Sequence, residues 1–309
     1  MVTFVEGAVT VSVPATSANL GPGYDSLGLA LGLRDQLTGE VLPSGLQVSV
    51  EGAGAEGDTR VPLDESHLVV RSMRAAFEVL GAQPAGLRLH CRNLIPHARG
   101  LGSSSAAIVG GIVLARALVA GGQLVLDDDS VFRLAARLEG HPDNVAPAFY
   151  GGFTISGQEP TESGEEFYAV RTSVDPRISA VVFVPPTGVR TEVARGLIPE
   201  SVPHADAAAD AGRTALLVAA LNGQPEQLLR ATRDYLHQEY RRPAMPVSLA
   251  FVDELRADGF AAIVSGAGPT VLAFSDGVDS AYTAKLAARC PHGWTCHALP
   301  VDLRGAISV

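Results

Sequence analysis

The chain has 309 residues, a formal net charge of −10 and 47% apolar residues. That length buries a substantial core and suits two domains, while acidic charge spread along the chain argues against nucleic acid as a partner. No apolar run reaches the ~18 residues of a membrane span, and no basic stretch precedes an apolar block at the N-terminus, so a soluble cytoplasmic protein is expected, with neither membrane span nor secretory signal.

In chain order, residues 9–13 alternate like a strand that ends at Pro14, and "TSANLGPGYDSLG" follows as a glycine-proline loop before an apolar run. Residues 46–52 read as a strand, 66–80 as a helix with one apolar face, and 87–93 as a strand leading into "IPHARGLGSSSAAIVGG". The apolar, alanine-rich run from Gly102 to about Ala120 has the length of a deeply buried helix. "DDDSVFRLAARLEG" opens on capping carboxylates and reads as a helix ending near Gly140. Residues 157–164, "GQEPTESG", are polar and turn-rich and mark the best break between halves. Beyond them come strands in "FYAVRTSV" and "ISAVVFVP", helices over 205–221, 225–236 and 247–257, and two short strands around "AGP". A helix near 279–289 and a strand near 294–301 complete the chain. Strands and helices mix without regular alternation, which points to an α+β fold.

The glycine-serine loop lacks the lysine of a P-loop; indeed Lys285 is the only lysine in the chain. Anion binding survives without it. Gly100 and Gly102 permit a tight turn, and Ser103, Ser104 and Ser105 open a helix whose first amides have no partner within the helix. The same residues would also serve simply to cap a buried helix. Asn19 and Asp25 in the first loop either meet a polar ligand or only form turns, and "VSGAGPTVLAF" is a ligand loop or a hairpin. "LEGHPDNVAP" gathers Glu139, His141, Asp143 and Asn144 at a helix end. They are either solvated polar residues or a carboxylate for Mg²⁺ beside substrate-binding groups. Cys290, His292, Cys296 and His297 cluster in "CPHGWTCH", at a spacing that matches no common zinc pattern.

Taken together, "VPATSANLGPGYDSLGLAL", "IPHARGLGSSSAA", "EGHPDNVAPAFYGGF" and "VSGAGPTVLAF" resemble the GHMP kinase superfamily, and "SANLGPGYD" and "HPDNVAP" its homoserine branch. The resemblance implies an N-terminal ATP-binding domain like ribosomal protein S5 domain 2 over residues 1–157 and a ferredoxin-like domain over 158–309. It implies ATP-dependent phosphorylation of the L-homoserine hydroxyl to O-phospho-L-homoserine, a step of threonine biosynthesis, by a homodimer using Mg²⁺. Carried onto this sequence, Pro96, His97, Ala98, Arg99, Gly100, Leu101, Gly102, Ser103, Ser104, Ser105 and Ala106 would wrap the ATP phosphates. Ser104 and Glu139 would hold Mg²⁺. Asn19 and Asp25 are the catalytic candidates, and with His141, Asn144, Thr191, Arg195 and Arg241 they would line the amino-acid pocket; Arg242 offers the adjacent register. Two arginines suit a substrate carboxylate, which a guanidinium fork holds well. His67 stands where many relatives place an asparagine near adenine, and Arg92 where a lysine is frequent.

Overall fold

Pro14 lies inside the first strand rather than at its end. β1 (Val9–Ala18) continues through a register shift between Pro14 and Ala15, the kind of irregularity at which a strand tolerates a residue without a ladder donor. The computed structural model describes residues 2–57, 60–161, 164–277 and 279–309.

β2 (Leu27–Leu42) is the hub of the first sheet and has no counterpart in the sequence reading. Its first five residues are all buried, and a strand covered on both faces shows no polar alternation to betray it. One edge pairs antiparallel with β1. The other edge is shared: Leu27–Leu29 pair with β5 (Phe153–Thr161), and residues 36–42 with β4 (Gly86–Asn93). β3 (Gly45–Gly52) runs parallel to β4 across α1 (Leu68–Val79), and β11 (Ile307–Ser308) pairs with the outer edge of β1.

Over this sheet lies α2 (Ser103–Ala117), packed against α1, α4 (Asp128–Glu139) and β1. Ten of its fifteen residues are buried, so it is apolar nearly all round, as a central helix must be. α3 (Gly122–Val125) is a single turn before α4, and α5 (Val145–Tyr150) follows α4. Asp127 caps α4, its carboxylate accepting from Ser130 N at 2.8 Å.

The turn-rich break at 157–164 is the end of a hairpin. β5 pairs antiparallel with β6 (Gly164–Thr172), from Phe153 opposite Thr172 to Thr161 opposite Gly164; Glu162 and Ser163 lie outside the described residues. The division expected between residues 157 and 158 therefore passes through a hairpin of the first sheet. The sheet changes at β7 (Ile178–Val184). With β8 (Ala262–Val264), β9 (Val271–Asp276) and β10 (Thr295–Pro300) it forms an antiparallel four-stranded sheet in the order β10-β7-β9-β8.

α6 (Thr191–Arg195), α7 (His204–Leu221), α8 (Leu228–Ala231), α9 (Pro246–Ala257) and α10 (Ser280–Ala287) complete this half. The helix expected over 225–236 shrinks to one 3₁₀ turn and α8. Beyond it the Asp234 carboxylate accepts from the amides of Leu236, His237 and Gln238, a local capture that competes with helical bonding. One apolar cluster runs from Leu20, Leu29 and Ile112 through Val182, Ile263 and Leu272, so the two sheets share a core.

Candidate active site

Three loops that look alike in the sequence are tied to one another. The Leu101 carbonyl accepts from Thr16 N at 3.1 Å, and the Ala18 carbonyl accepts from Gly266 N at 3.1 Å. The buried Ser265 hydroxyl bonds both the Gly100 carbonyl at 2.6 Å and the Ser17 hydroxyl at 2.9 Å. Gly102 shows why the middle loop is glycine-rich. Its φ is 69°, and a Cβ there would sit 1.9 Å from Thr16 Oγ1. That Thr16 hydroxyl donates to Asn144 Oδ1 at 2.8 Å, linking the β1 end, the start of α2 and the start of α5.

Between these loops and α6 lies a cavity of about 460 Å³. Asn19, Asp25, Ala98, Arg99, Gly100, Gly102, Ser103, Ser104, Glu139, His141, Asn144, Thr191, Arg195 and Arg241 all line it. Of the residues singled out in the sequence, Pro96, Leu101 and Ser105 do not, while His97 and Ala106 face a second cavity of about 280 Å³. That cavity shares Ser103 and Ser104 with the first and is otherwise largely apolar, walled by Leu37, Val61, Pro62, Leu68 and Val69. His67 belongs to its wall, is 4% exposed, and has an Nδ1 with no hydrogen-bond partner among the described residues. Burial first, then the neighbouring His97, pushes its pKa down, so it is neutral.

At the mouth of α2 the Ser104 and Ser105 hydroxyls both donate to Glu139 Oε1, at 2.6 and 2.9 Å. Glu139 is the last residue of α4, at the negative end of that helix dipole, yet its side chain is only 8% exposed. A carboxylate there is poorly placed for α4 and well placed opposite the positive N-terminus of α2. Hard oxygen donors converging beside free helix amides make a set that fits Mg²⁺. Next to it, His141 Nδ1 bonds Asp143 Oδ1 at 2.8 Å. Burial lowers the His141 pKa, but the bond and charge of Asp143 and the charge of Glu139 outweigh it, so the net shift is upward.

The opposite wall is cationic. Arg195 makes a two-pronged ion pair with Asp25, at 2.8 and 2.9 Å. Asp25 sits at φ 53° and Asn19 at φ 66°. Asn19 Oδ1 accepts from Asp25 N at 2.9 Å, and Asn19 Nδ2 donates to the Gly266 carbonyl at 3.0 Å. Arg241 is 2% exposed. Its Nη1 donates to the Gly266 carbonyl and to His237 Nδ1, each at 3.0 Å, while His237 Nε2 donates to the Gly21 carbonyl at 2.8 Å. Those partners fix His237 as the neutral tautomer with its proton on Nε2, in keeping with a pKa lowered mainly by burial. Among the described residues Arg241 Nε has no hydrogen-bond partner. The neighbouring Arg242 is instead engaged with Glu239 and Asp253 on the surface, so the inward arginine is Arg241.

Sequence reasoning passed over several of these groups. Tyr24 lies between the two guanidinium groups, Arg195 and Arg241 each 5.6 Å from its ring centre; its place between Gly23 and Asp25 in the glycine-proline loop was the available clue. His237 stands four residues before Arg241, and Ser265 precedes a glycine loop. Asp35 carries no sequence signal. It is buried on β2 and accepts from the amides of Leu94 and Ile95 at 2.6 and 2.9 Å, so it sets the entry of the glycine-serine loop.

Burial raises the Asp35 pKa from 3.8 to about 6, against the pull of those two amides. A folded state that holds the proton more tightly than the unfolded chain loses stability as pH rises from about 4 to about 6, by up to ~3 kcal/mol. Asp35→Asn keeps the accepting oxygen and removes the charge. Its melting temperature at pH 7 should exceed that of the parent, and the fall between pH 4 and 6 should flatten. Thermal melts across that range check both.

The two halves of this architecture match known family models: residues 67–152 the GHMP kinases N terminal domain, residues 216–291 the GHMP kinases C terminal. The fold is that of a GHMP kinase. Among its relatives is a homoserine kinase of Streptomyces avermitilis, 55% identical over 98% of this chain and 96% of that protein. Another is a homoserine kinase of Clavibacter michiganensis, 48% identical over 96% of this chain and 93% of that one. A crystal structure of homoserine kinase from Cytophaga hutchinsonii superposes with a TM-score of 0.85 at 25% identity, covering 99% of both chains. The chain belongs to the homoserine kinase family. Among the described residues no helix is long and apolar enough to cross a membrane.

Proposed function

We propose that the chain transfers the γ-phosphoryl group of ATP to the hydroxyl of L-homoserine, giving O-phospho-L-homoserine for threonine biosynthesis, in the cytoplasm and as a homodimer. The observation that carries the substrate reading is Arg241. A guanidinium that is 2% exposed and, among the described residues, has neither a hydrogen-bond partner for Nε nor an ion pair with a carboxylate is costly to keep charged. An incoming carboxylate repays that cost with two charge-assisted bonds. Arg195 supplies the second cation. Asp25, on the same wall, answers the ammonium group, so an α-amino acid replaces the Asp25–Arg195 pair charge for charge.

On the nucleotide side, the amides of Gly100, Gly102 and Ser103–Ser105 receive the phosphates, and the smaller apolar cavity receives adenine, with the neutral His67 Nδ1 at its wall. Ser104 and Glu139 would hold Mg²⁺, which neutralises phosphate charge when bound. The alignment of the hydroxyl by Asn19, Asp25 and His141 is the main contribution of the chain. No side chain is assigned as a general base: with substrate bound Asp25 answers the ammonium group, and the His141 imidazole, held through Nδ1 by Asp143, serves to orient the hydroxyl. The hydroxyl therefore loses its proton late, to the phosphoryl oxygens.

A coupled assay of ADP formation tests the reading. L-homoserine with Mg²⁺-ATP should give O-phosphohomoserine, with far weaker turnover on mevalonate or shikimate. Preference for either of those alcohols would overturn it.

A further inference from the structure

Arg99 stands in the middle of the glycine-serine loop, yet its guanidinium reaches across to the other half of the molecule. Nε donates to the Pro185 carbonyl at 3.0 Å and Nη2 to the Pro186 carbonyl at 2.5 Å, while Nη1 returns to the His97 carbonyl at 3.1 Å. No carboxylate is bonded to it among the described residues. Its fork thus spans two successive carbonyls just after the end of β7, in the segment that leads into α6. Gly188 allows the approach. A Cβ at that position would lie 2.2 Å from Arg99 Nη1 and 2.7 Å from the Ala98 carbonyl.

The segment so held carries Thr191 and Arg195. Arg195 closes on Asp25, Asp25 N on Asn19, Asn19 on the Gly266 carbonyl, and Ser265 on Gly100, the residue after Arg99. The hydrogen bonds therefore form a closed ring around the cavity, in which Arg99 is the link between the loop that faces phosphates and the segment that faces the amino acid. We infer that Arg99 is a positioning residue that couples the two substrate sites, so that nucleotide held by the loop fixes α6 over the amino acid. This rests on the site assignments proposed above.

Ordering the loop once for both ligands makes the second binding event cheaper, and such coupling is ordinarily worth ~5-fold or more in affinity. Phosphates seated on the Gly100–Ser104 amides fix Arg99, and Arg99 fixes the 185–195 segment. A lysine at 99 would keep the charge but offers no planar fork for two carbonyls.

Calorimetric titration of L-homoserine, with and without a non-hydrolysable ATP analogue and Mg²⁺, measures the coupling directly. The parent protein should bind L-homoserine ~5-fold or more tightly when the analogue is present. Arg99→Met should bring that ratio to about 1, Arg99→Lys should restore it only in part, and Gly188→Ala, which blocks the contact from the opposite side, should act like Arg99→Met. If Arg99→Met does not fold, the ratio in Gly188→Ala decides. A ratio of 1 in the parent, or one unchanged by both substitutions, overturns the inference. Wild-type protein that phosphorylates L-homoserine while the ratio survives both changes sinks this inference alone; protein that neither binds nor phosphorylates L-homoserine sinks the substrate reading instead.

Discussion

Glu139→Gln should lower kcat by ~10²–10³-fold and raise the Mg²⁺ concentration needed for half-maximal rate, with little change in the KM for L-homoserine. Glu139 Oε1 is the shared acceptor of two serine hydroxyls, held at the mouth of α2 at 8% side-chain exposure. Glutamine preserves the volume and one carbonyl oxygen, so Ser104 and Ser105 keep an acceptor. What it removes is the negative charge, and with it the electrostatic attraction for a divalent cation. A loss of ~3–4 kcal/mol of transition-state stabilisation is the size expected when a group facing developing charge is neutralised. Ser104→Ala should act in the same direction and more weakly, because a neutral hydroxyl gives less to Mg²⁺ than a carboxylate does. Both variants should fold, since neither leaves a buried charge unpaired. Turnover against Mg²⁺ concentration, measured for both, is the check. A Glu139→Gln enzyme with unaltered Mg²⁺ dependence would refute the metal assignment.

His141 adds a pH signature to the same corner. Its pKa is raised chiefly by Asp143, against burial, so the interaction of its protonated form is present below the ordinary histidine range and is lost as pH rises through the shifted value. Asp143→Asn removes the partner and should move the corresponding inflection in kcat/KM downward.

The motif segments were legible because each is short and chemically unusual: glycines beside serines, or Glu, His, Asp and Asn within six residues of one another. What put them in one cavity was not legible. Ser265 reaching Gly100, or Thr16 reaching Asn144, depends on packing between residues more than a hundred apart. β2 was hidden for a different reason. It is central and double-sided at its start, so the period-2 signal on which strand reading relies is missing. The polar stretch at 157–164 is a case of a correct local reading with the wrong global meaning, since turn chemistry ends a hairpin as readily as it separates domains. The 225–236 segment shows tertiary and side-chain capture by Asp234 overriding helical propensity. Arg241 and Arg242 are indistinguishable as letters; only burial separates the inward arginine from the one paired with Glu239.

Asp25→Asn should raise the KM for L-homoserine by ~10–100-fold while leaving kcat within ~10-fold of the parent. The two parts of that expectation come from different physics. Asp25 meets Arg195 through both oxygens, so in the free enzyme it neutralises a cation, and with an amino acid bound it answers the ammonium group. Removing its charge weakens ground state and transition state alike, which appears in KM. A general base at this position would behave otherwise, because losing one costs ~10²–10⁴-fold in kcat. Arg195 is 43% exposed in its side chain, so freeing it from Asp25 leaves no buried charge, and the variant should melt close to the parent. Arg195→Met should also act on KM, by a similar factor. The double variant should lose less than the product of the two, since the residues form one pair before the substrate arrives. Steady-state kinetics of the three variants settle the matter. A kcat reduced by ~10³-fold in Asp25→Asn, with KM unchanged, would make Asp25 the base and end the account of catalysis by alignment.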